Sequence, residues 1–212
     1  MITPLQLKSV CPSLDINAAS VLAPLLVETC TRYGISKQSL PYFLANLIHE
    51  SGGFTIKAEN LNYTTPERLV KIWPSRFSLN GGDGKYKAGL YVRNPEALAN
   101  LTYNGRMGNR TGTKDGFTFR GGGYAQLTGR DAYEQYFKHV KSKADLQILT
   151  VEEMAHFVMI NDKWAMDSAG WFFSVFKKLN GTFDFMTVVK KWNGGTIGYS
   201  ERVALFNRCK VL

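Results

Sequence analysis

Apolar residues recur at helical spacing along most of the chain. Over residues 42–64 (YFLANLIHESGGFTIKAENLNYT), Phe43, Leu44, Leu47 and Ile48 fall on one stripe. Ser39 is a candidate N-cap, Pro41 suits a first helical turn, and Gly52-Gly53 is a stop signal. This predicts a helix whose last turn carries Glu50. Upstream, Thr3 opens a short helix over 4–10. Asp15 or Asn17 opens a second, with Val21, Leu22, Leu25 and Leu26 in register and Gly34 at its end. Downstream, Thr65-Pro66-Glu67 starts a helix carrying Leu69, Val70, Ile72 and Trp73, which Pro74 stops. Further helices are predicted over 95–103, 131–140, 150–159, 162–179, 186–192 and 200–210. Thr150 and Glu153 form a capping box for the helix over 150–159.

The pattern breaks over 75–123, where glycines are dense and aromatic and polar residues interleave. This reads as a less regular lobe facing a cleft, where irregular backbone carries function. The GGDGK stretch lacks the full phosphate-loop spacing and a preceding apolar strand. Over 117–133, alternation at Phe117, Phe119, Tyr124 and Leu127 predicts short extended segments joined through Gly121-Gly122-Gly123. Gln126 and Thr128 would then point to the same side. A polar-edged turn explains that stretch equally well by itself. The architecture expected is a mainly α single domain, residues 1–212, with a small irregular or β segment and two lobes, the smaller contributed by 65–118.

Composition narrows the partners. Among 212 residues the formal net charge is +9, which implies attraction to a polyanion: nucleic acid, an acidic membrane face, or an anionic cell wall. The basic residues are scattered and no recognised nucleic-acid motif is present, so a nucleic-acid partner is not expected. Three widely spaced cysteines, Cys11, Cys30 and Cys209, suit neither a disulfide framework nor a zinc site and read as buried free thiols. The first residues lack a basic segment followed by a long apolar run, and no stretch reaches membrane-span length. A cytoplasmic site of synthesis and no stable membrane insertion are the expectations.

The candidate chemistry lies in Glu50 and Glu59. A glutamate in the last turn of a helix meets the negative end of the dipole, which disfavours its charged form and suits a general acid. Glu59, among Asn60, Asn62 and Tyr63, has a polar setting that keeps a carboxylate ionised. Either glutamate alone is ordinarily a solvated surface residue. The His49-Glu50 pair is not a zinc motif, because Gly53 stands where the second histidine is needed. His139 and His156 have no partner motif.

Four stretches together resemble family-19 glycoside hydrolases, and within them the branch of phage endolysins: HESGGF at 49–54, ENLNYT at 59–64, FRGGGYAQLTG at 119–129 and WNGG at 192–195. The resemblance covers roughly residues 36–205. It implies a lysozyme-like, mostly helical two-lobed fold with a central cleft. It also implies Glu50 as general acid, Glu59 as general base and Thr128 as holder of the attacking water. Sugar contacts are implied for Gln126, Tyr133 and Asn193, and His49, Asn62, Tyr63, Arg120 and Tyr124 are further substrate-binding candidates. Arg202 is the candidate for an arginine that closes the site. The chain departs from the family at Gly122, where arginine is usual; Arg120, two positions earlier, is the candidate replacement.

The reading that follows is an inverting hydrolysis of β-1,4 bonds in peptidoglycan, without metal or other cofactor, by a monomeric endolysin. It would be made in a bacterial host's cytoplasm and reach the wall through a phage holin. Chitin is the alternative substrate, weakened by the lack of a cysteine-rich chitin-binding module. A non-catalytic wall-binding or nucleic-acid-binding protein is the alternative of another class.

Overall fold

A computed structural model describes residues 2–142 and 150–212, and it is mainly helical. Helix α1 (Pro4–Val10) is closed by a capping box: Gln6 N–H donates to Thr3 Oγ1 (3.2 Å) and Thr3 N–H to Gln6 Oε1 (3.0 Å). Helix α2 (Ile16–Arg32) is capped by Asp15, whose Oδ1 accepts from the N–H groups of Asn17 and Ala18. After Gly34 the chain enters α3 (Leu40–Glu50). Ser39 stands at its N-cap but makes no capping bond. Ser36 O already accepts from Ser39 and Leu40 N–H, which draws Ser39 into helical backbone (φ −80°, ψ −20°). Phe43, Leu44, Ala45, Asn46 and Leu47 of α3 are all fully buried, so this helix is enclosed rather than packed on one stripe.

Next come α4 (Pro66–Ile72), with Thr65 accepting from Arg68 N–H, and the two-residue strands β1 (Phe77–Ser78) and β2 (Tyr86–Lys87), paired at Phe77↔Tyr86. Helix α5 (Pro95–Tyr103) and the single turn α6 (Asp115–Thr118) follow. Helices α7 (Arg130–Lys141), α8 (Val151–Ile160) and α9 (Asp162–Trp171) complete the middle of the chain. The helix expected over 162–179 is interrupted: past Trp171 it widens into a π turn, Phe172–Phe176, closed by Lys177 N–H on Phe172 O (2.8 Å). Helices α10 (Phe185–Asn193) and α11 (Tyr199–Cys209) end the chain. Among the described residues no helix is long and apolar enough to cross a membrane. Cys11 and Cys209 are buried thiols; Cys30 is half-buried, against the expectation for it.

Two hydrophobic cores form. The larger joins α1, α2, α3 and α7 through α11. The smaller gathers Leu61, Leu69, Phe77, Ala88, Leu98 and Ala99, with Tyr63, Trp73 and Tyr91 against it. Its rings meet largely edge to face, as quadrupoles favour: Tyr63–Trp73 at 5.4 Å and Phe77–Tyr91 at 5.4 Å.

The extended segments expected over 117–133 are absent. Phe117 lies in α6, and the backbone there makes only isolated bridges, Ala58↔Gly122 and Gly122↔Leu127. Gln126 has φ +55°, so the extended alternation that would align it with Thr128 does not arise.

Asp115 ties this irregular region together. Its two oxygens accept from Arg110 (2.9 Å, both contacts) and from Arg130 (2.8 and 2.9 Å), and Arg130 also reaches Glu152 (2.7 Å) and Glu134 (3.2 Å). The arginine hydrogen bonds hold the Asp115 carboxyl well below the usual carboxylate range. A depressed carboxylate stabilises the fold above its unfolded value of about 3.9, and that stability drains as pH falls further. Asp115→Asn should cost about 1–3 kcal/mol at neutral pH, a limited loss because Arg130 keeps its two glutamates. The gap to the parent in urea melts should narrow below about pH 4. A gap that stays constant to pH 2.5 would contradict the assignment.

Candidate active site

The HESGGF stretch builds the end of α3. Ser51, fully buried, donates from Oγ to Leu47 O (2.7 Å) and accepts from Phe54 N–H (2.9 Å), closing the last turn. Gly52, Gly53 and Phe54 all have positive φ, a run that reverses the chain and leaves the Phe54 ring edge-on to Tyr124 at 5.3 Å. The turn is thereby pinned at both sides, and Glu50 projects from a fixed helix end.

Glu50 Oε1 accepts from Arg202 Nη2 (2.5 Å), and Arg202 Nη1 donates to Asn46 Oδ1 (2.8 Å). The arginine side chain is only 2% exposed. The guanidinium thus lies against the helix end that carries Glu50. His49 stands beside this pair. Its Nδ1 is buried with no hydrogen-bond partner among the described residues, and burial, then Arg202, pushes its pKa down. A Cβ at Gly198 (φ +70°) would come within 2.5 Å of His49 Nε2, so the turn leading into α11 closes over the imidazole.

Glu59 belongs to a second group. Its Oε1 accepts from Tyr103 Oη (2.7 Å) and its Oε2 from Gly121 N–H (3.3 Å), while its own N–H donates to Gly121 O (2.8 Å). A Cβ on Gly121 would lie 2.7 Å from Gln126 Oε1 and 3.2 Å from Glu59 Cβ, so the missing side chain lets Glu59 and Gln126 approach each other. Burial, then Glu59, raises the pKa of Tyr103, which stays a neutral donor. Tyr63 is half-buried and shifted upward by burial and by the same carboxylate. Thr128 Oγ1 donates to Gln126 O (2.9 Å), which leaves its lone pairs available to accept from water. Among the described residues the two carboxylates share no hydrogen-bond partner.

The remaining candidates divide. Arg120 is half-buried, donates to Phe117 O (2.7 Å) and stacks on the Phe117 ring at 4.1 Å. Asn62 is exposed, with its N–H donating to Asn60 Oδ1 (2.9 Å). Asn193 is exposed at the end of α10, its amide on Ile197 O (3.5 Å). Tyr124 and Tyr133, expected at the sugar, are instead packed in the core at 1% and 0% exposure. Tyr124 Oη donates to Asp162 (2.5 Å), itself paired with Lys57 (2.8 Å), and Tyr133 Oη donates to Arg120 O (3.3 Å). Tyr103 and Asn46 were not anticipated, because nothing near either in the sequence points to a partner so far along the chain.

Tyr133 also explains Gly122. A Cβ at position 122 would collide with Tyr133 Oη and lie 2.9 Å from Met159 Cγ, so an arginine has no room there. Gly122→Ala is expected to cost about 1–3 kcal/mol by overpacking, lowering Tm by roughly 2–4 °C per kcal/mol. Adding Tyr133→Phe should recover part of that loss in thermal melts; no recovery would mean the clash lies elsewhere.

No metal-binding group of three or more His, Cys, Asp or Glu side chains forms among the described residues. No family model matches the chain. A Haemophilus influenzae protein described as a glycosyl hydrolase family 19 domain-containing protein is 30% identical over 185 residues, covering 84% of this chain and 81% of that one. Identity of that extent over most of both chains shows that the chain belongs to glycosyl hydrolase family 19.

Proposed function

We propose that this protein is an endolysin that hydrolyses β-1,4 bonds between the amino sugars of bacterial peptidoglycan with inversion. The observation that carries the reading is the contrast between the partners of the two carboxylates. Glu50 is the general acid: Arg202 holds Oε1 and stabilises the carboxylate left after proton donation, so Oε2 is the atom that delivers the proton to the glycosidic oxygen. Glu59 is the general base, oriented by neutral donors that do not neutralise it. The attacking water gives one hydrogen to Thr128 Oγ1 and the other to Glu59. The +9 charge favours an anionic wall over neutral chitin. Passage through a phage holin from the host cytoplasm, as a monomer, is part of the same proposal.

The test is mass spectrometry of sugar ends released from purified Gram-negative peptidoglycan. Reducing ends, of either amino sugar, are expected. Anhydro ends would remove the water and Glu59 from the mechanism. Release from chitin oligomers alone would move the substrate to chitin.

A further inference from the structure

Helices α3 and α11 run antiparallel with matched faces. Tyr42, Asn46 and Glu50 follow one another at four-residue steps on α3, and Arg202 and Phe206 on α11 do so with Lys210, its C-cap. Arg202 meets Glu50 and Asn46; Phe206 meets Tyr42, with ring centroids 4.6 Å apart. The pair therefore has two ends. One holds the Glu50 carboxylate, and the other opens into a groove of about 560 Å³ walled by Tyr42, Phe183 and Phe206 and flanked by Lys37, Gln38 and Lys210.

Three features distinguish this groove from an incidental surface dent. Phe183 is 52% exposed, although its backbone is held by Tyr42 Oη donating to Phe183 O (2.9 Å). The exposed ring stands beside those of Tyr42 and Phe206, so the three form one aromatic wall that a flat ligand face can meet. Both cations are exposed, and Lys210 Nζ lies 4.7 Å from the Phe206 ring centroid, its stem along the apolar wall and its charge at the rim. Among the described residues that line the groove, two are cationic and none is acidic. Asp184, next to Phe183, spends its carboxylate on Thr187 N–H (2.9 Å) at the start of α10.

We propose that this groove is a second, non-catalytic binding site for the anionic glycan strands of the cell wall. The aromatic walls take the apolar faces of sugar rings. Lys37 and Lys210 take the carboxylates of the lactyl and peptide substituents. The ligand class rests on peptidoglycan being the substrate. Tyr42 and Glu50 are eight residues apart in one helix, roughly 12 Å along its axis. A strand held in the groove thus raises the local concentration of scissile bonds at the catalytic end.

The test uses full-length Glu50→Gln protein, so that bound wall is not consumed, in pull-down titrations on purified sacculi and on chitin. Adding Lys37→Ala and Lys210→Ala should weaken sacculus binding by about tenfold, or 1.4 kcal/mol, and chitin binding far less. Phe183→Ala, at an exposed position, should weaken both. A control with the same charge loss elsewhere, Lys138→Ala with Lys163→Ala, should leave sacculus binding within about twofold. Equal losses from the two lysine pairs would overturn the site, reducing it to net charge. Unchanged binding on removal of Lys37, Lys210 and Phe183 would overturn it as well. In the active background the groove variants should slow digestion of sacculi and spare short soluble oligomers. If the parent releases no sugar ends from sacculi, the peptidoglycan reading fails, while the binding ratio still judges the groove.

Discussion

Glu50→Gln is expected to lower hydrolysis of peptidoglycan by about 10²–10⁴-fold, the contribution of one proton transfer. Glutamine keeps the shape of the side chain, and its amide oxygen can still accept from Arg202 Nη2, the bond that fixes the side chain at the end of α3. What it lacks is the proton. The leaving sugar oxygen would then depart as an unprotonated alkoxide, and neither Arg202, at 2% exposure and turned to Asn46 and Glu50, nor half-buried His49 is arranged to supply a substitute proton. The measurement is the initial rate of turbidity loss of sacculi, beside far-ultraviolet circular dichroism to show an intact helical fold. A folded variant retaining more than a tenth of parental activity would remove Glu50 from the acid role. Glu59→Gln should fall in the same range by another route, since its hydrogen bonds from Tyr103 and Gly121 survive while its basicity does not.

Much of the scaffold was legible in residue spacing. The capping residues Thr3, Asp15, Thr65 and Thr150 all bond as their positions imply, because an N-cap is decided by residues within one turn. Ser39 failed for a local reason too: Ser36, three residues earlier, had already begun the turn. Over 117–133 the period-two signal misled, since a run of glycines followed by Gln126 at positive φ has no fixed alternation to read. The same loss of periodicity hid the burial of Tyr124 and Tyr133, whose aromatic rings suit a core and a sugar equally well. The site's glutamates stood out by motif, yet their partners did not. Tyr103 is 44 residues from Glu59 and Arg202 is 152 from Glu50, and only the packing of α5 and α11 brings them in. Local chemistry is written locally; the partners of a site come from helices distant in sequence.

Arg202→Leu is expected to destabilise the fold by about 3–5 kcal/mol, the cost of breaking a buried ion pair from one side. For a chain of this size that is a fall in Tm of roughly 6–20 °C, at 2–4 °C per kcal/mol. Two groups are stranded at once. Glu50, with its side chain 18% exposed, loses the cation paired with it, and Asn46 Oδ1, wholly buried, loses its donor. Leucine fills much of the volume, so the loss reports on polar groups left without partners more than on a cavity. That origin makes a sharper forecast than the single substitution. Arg202→Leu combined with Glu50→Leu should be less destabilised than Arg202→Leu alone, because a half-buried carboxyl left without its donor costs more than an apolar pair of similar bulk. Urea denaturation at pH 7 of the parent, both singles and the double closes the cycle. A coupling near zero would mean that Arg202 holds α11 to α3 by packing alone, and the acid would then lack the anchor assigned to it. A coupling of about 1 kcal/mol or more ties the last helix to the catalytic end of α3, so that the activity and the docking of α11 should fail together when the chain is heated.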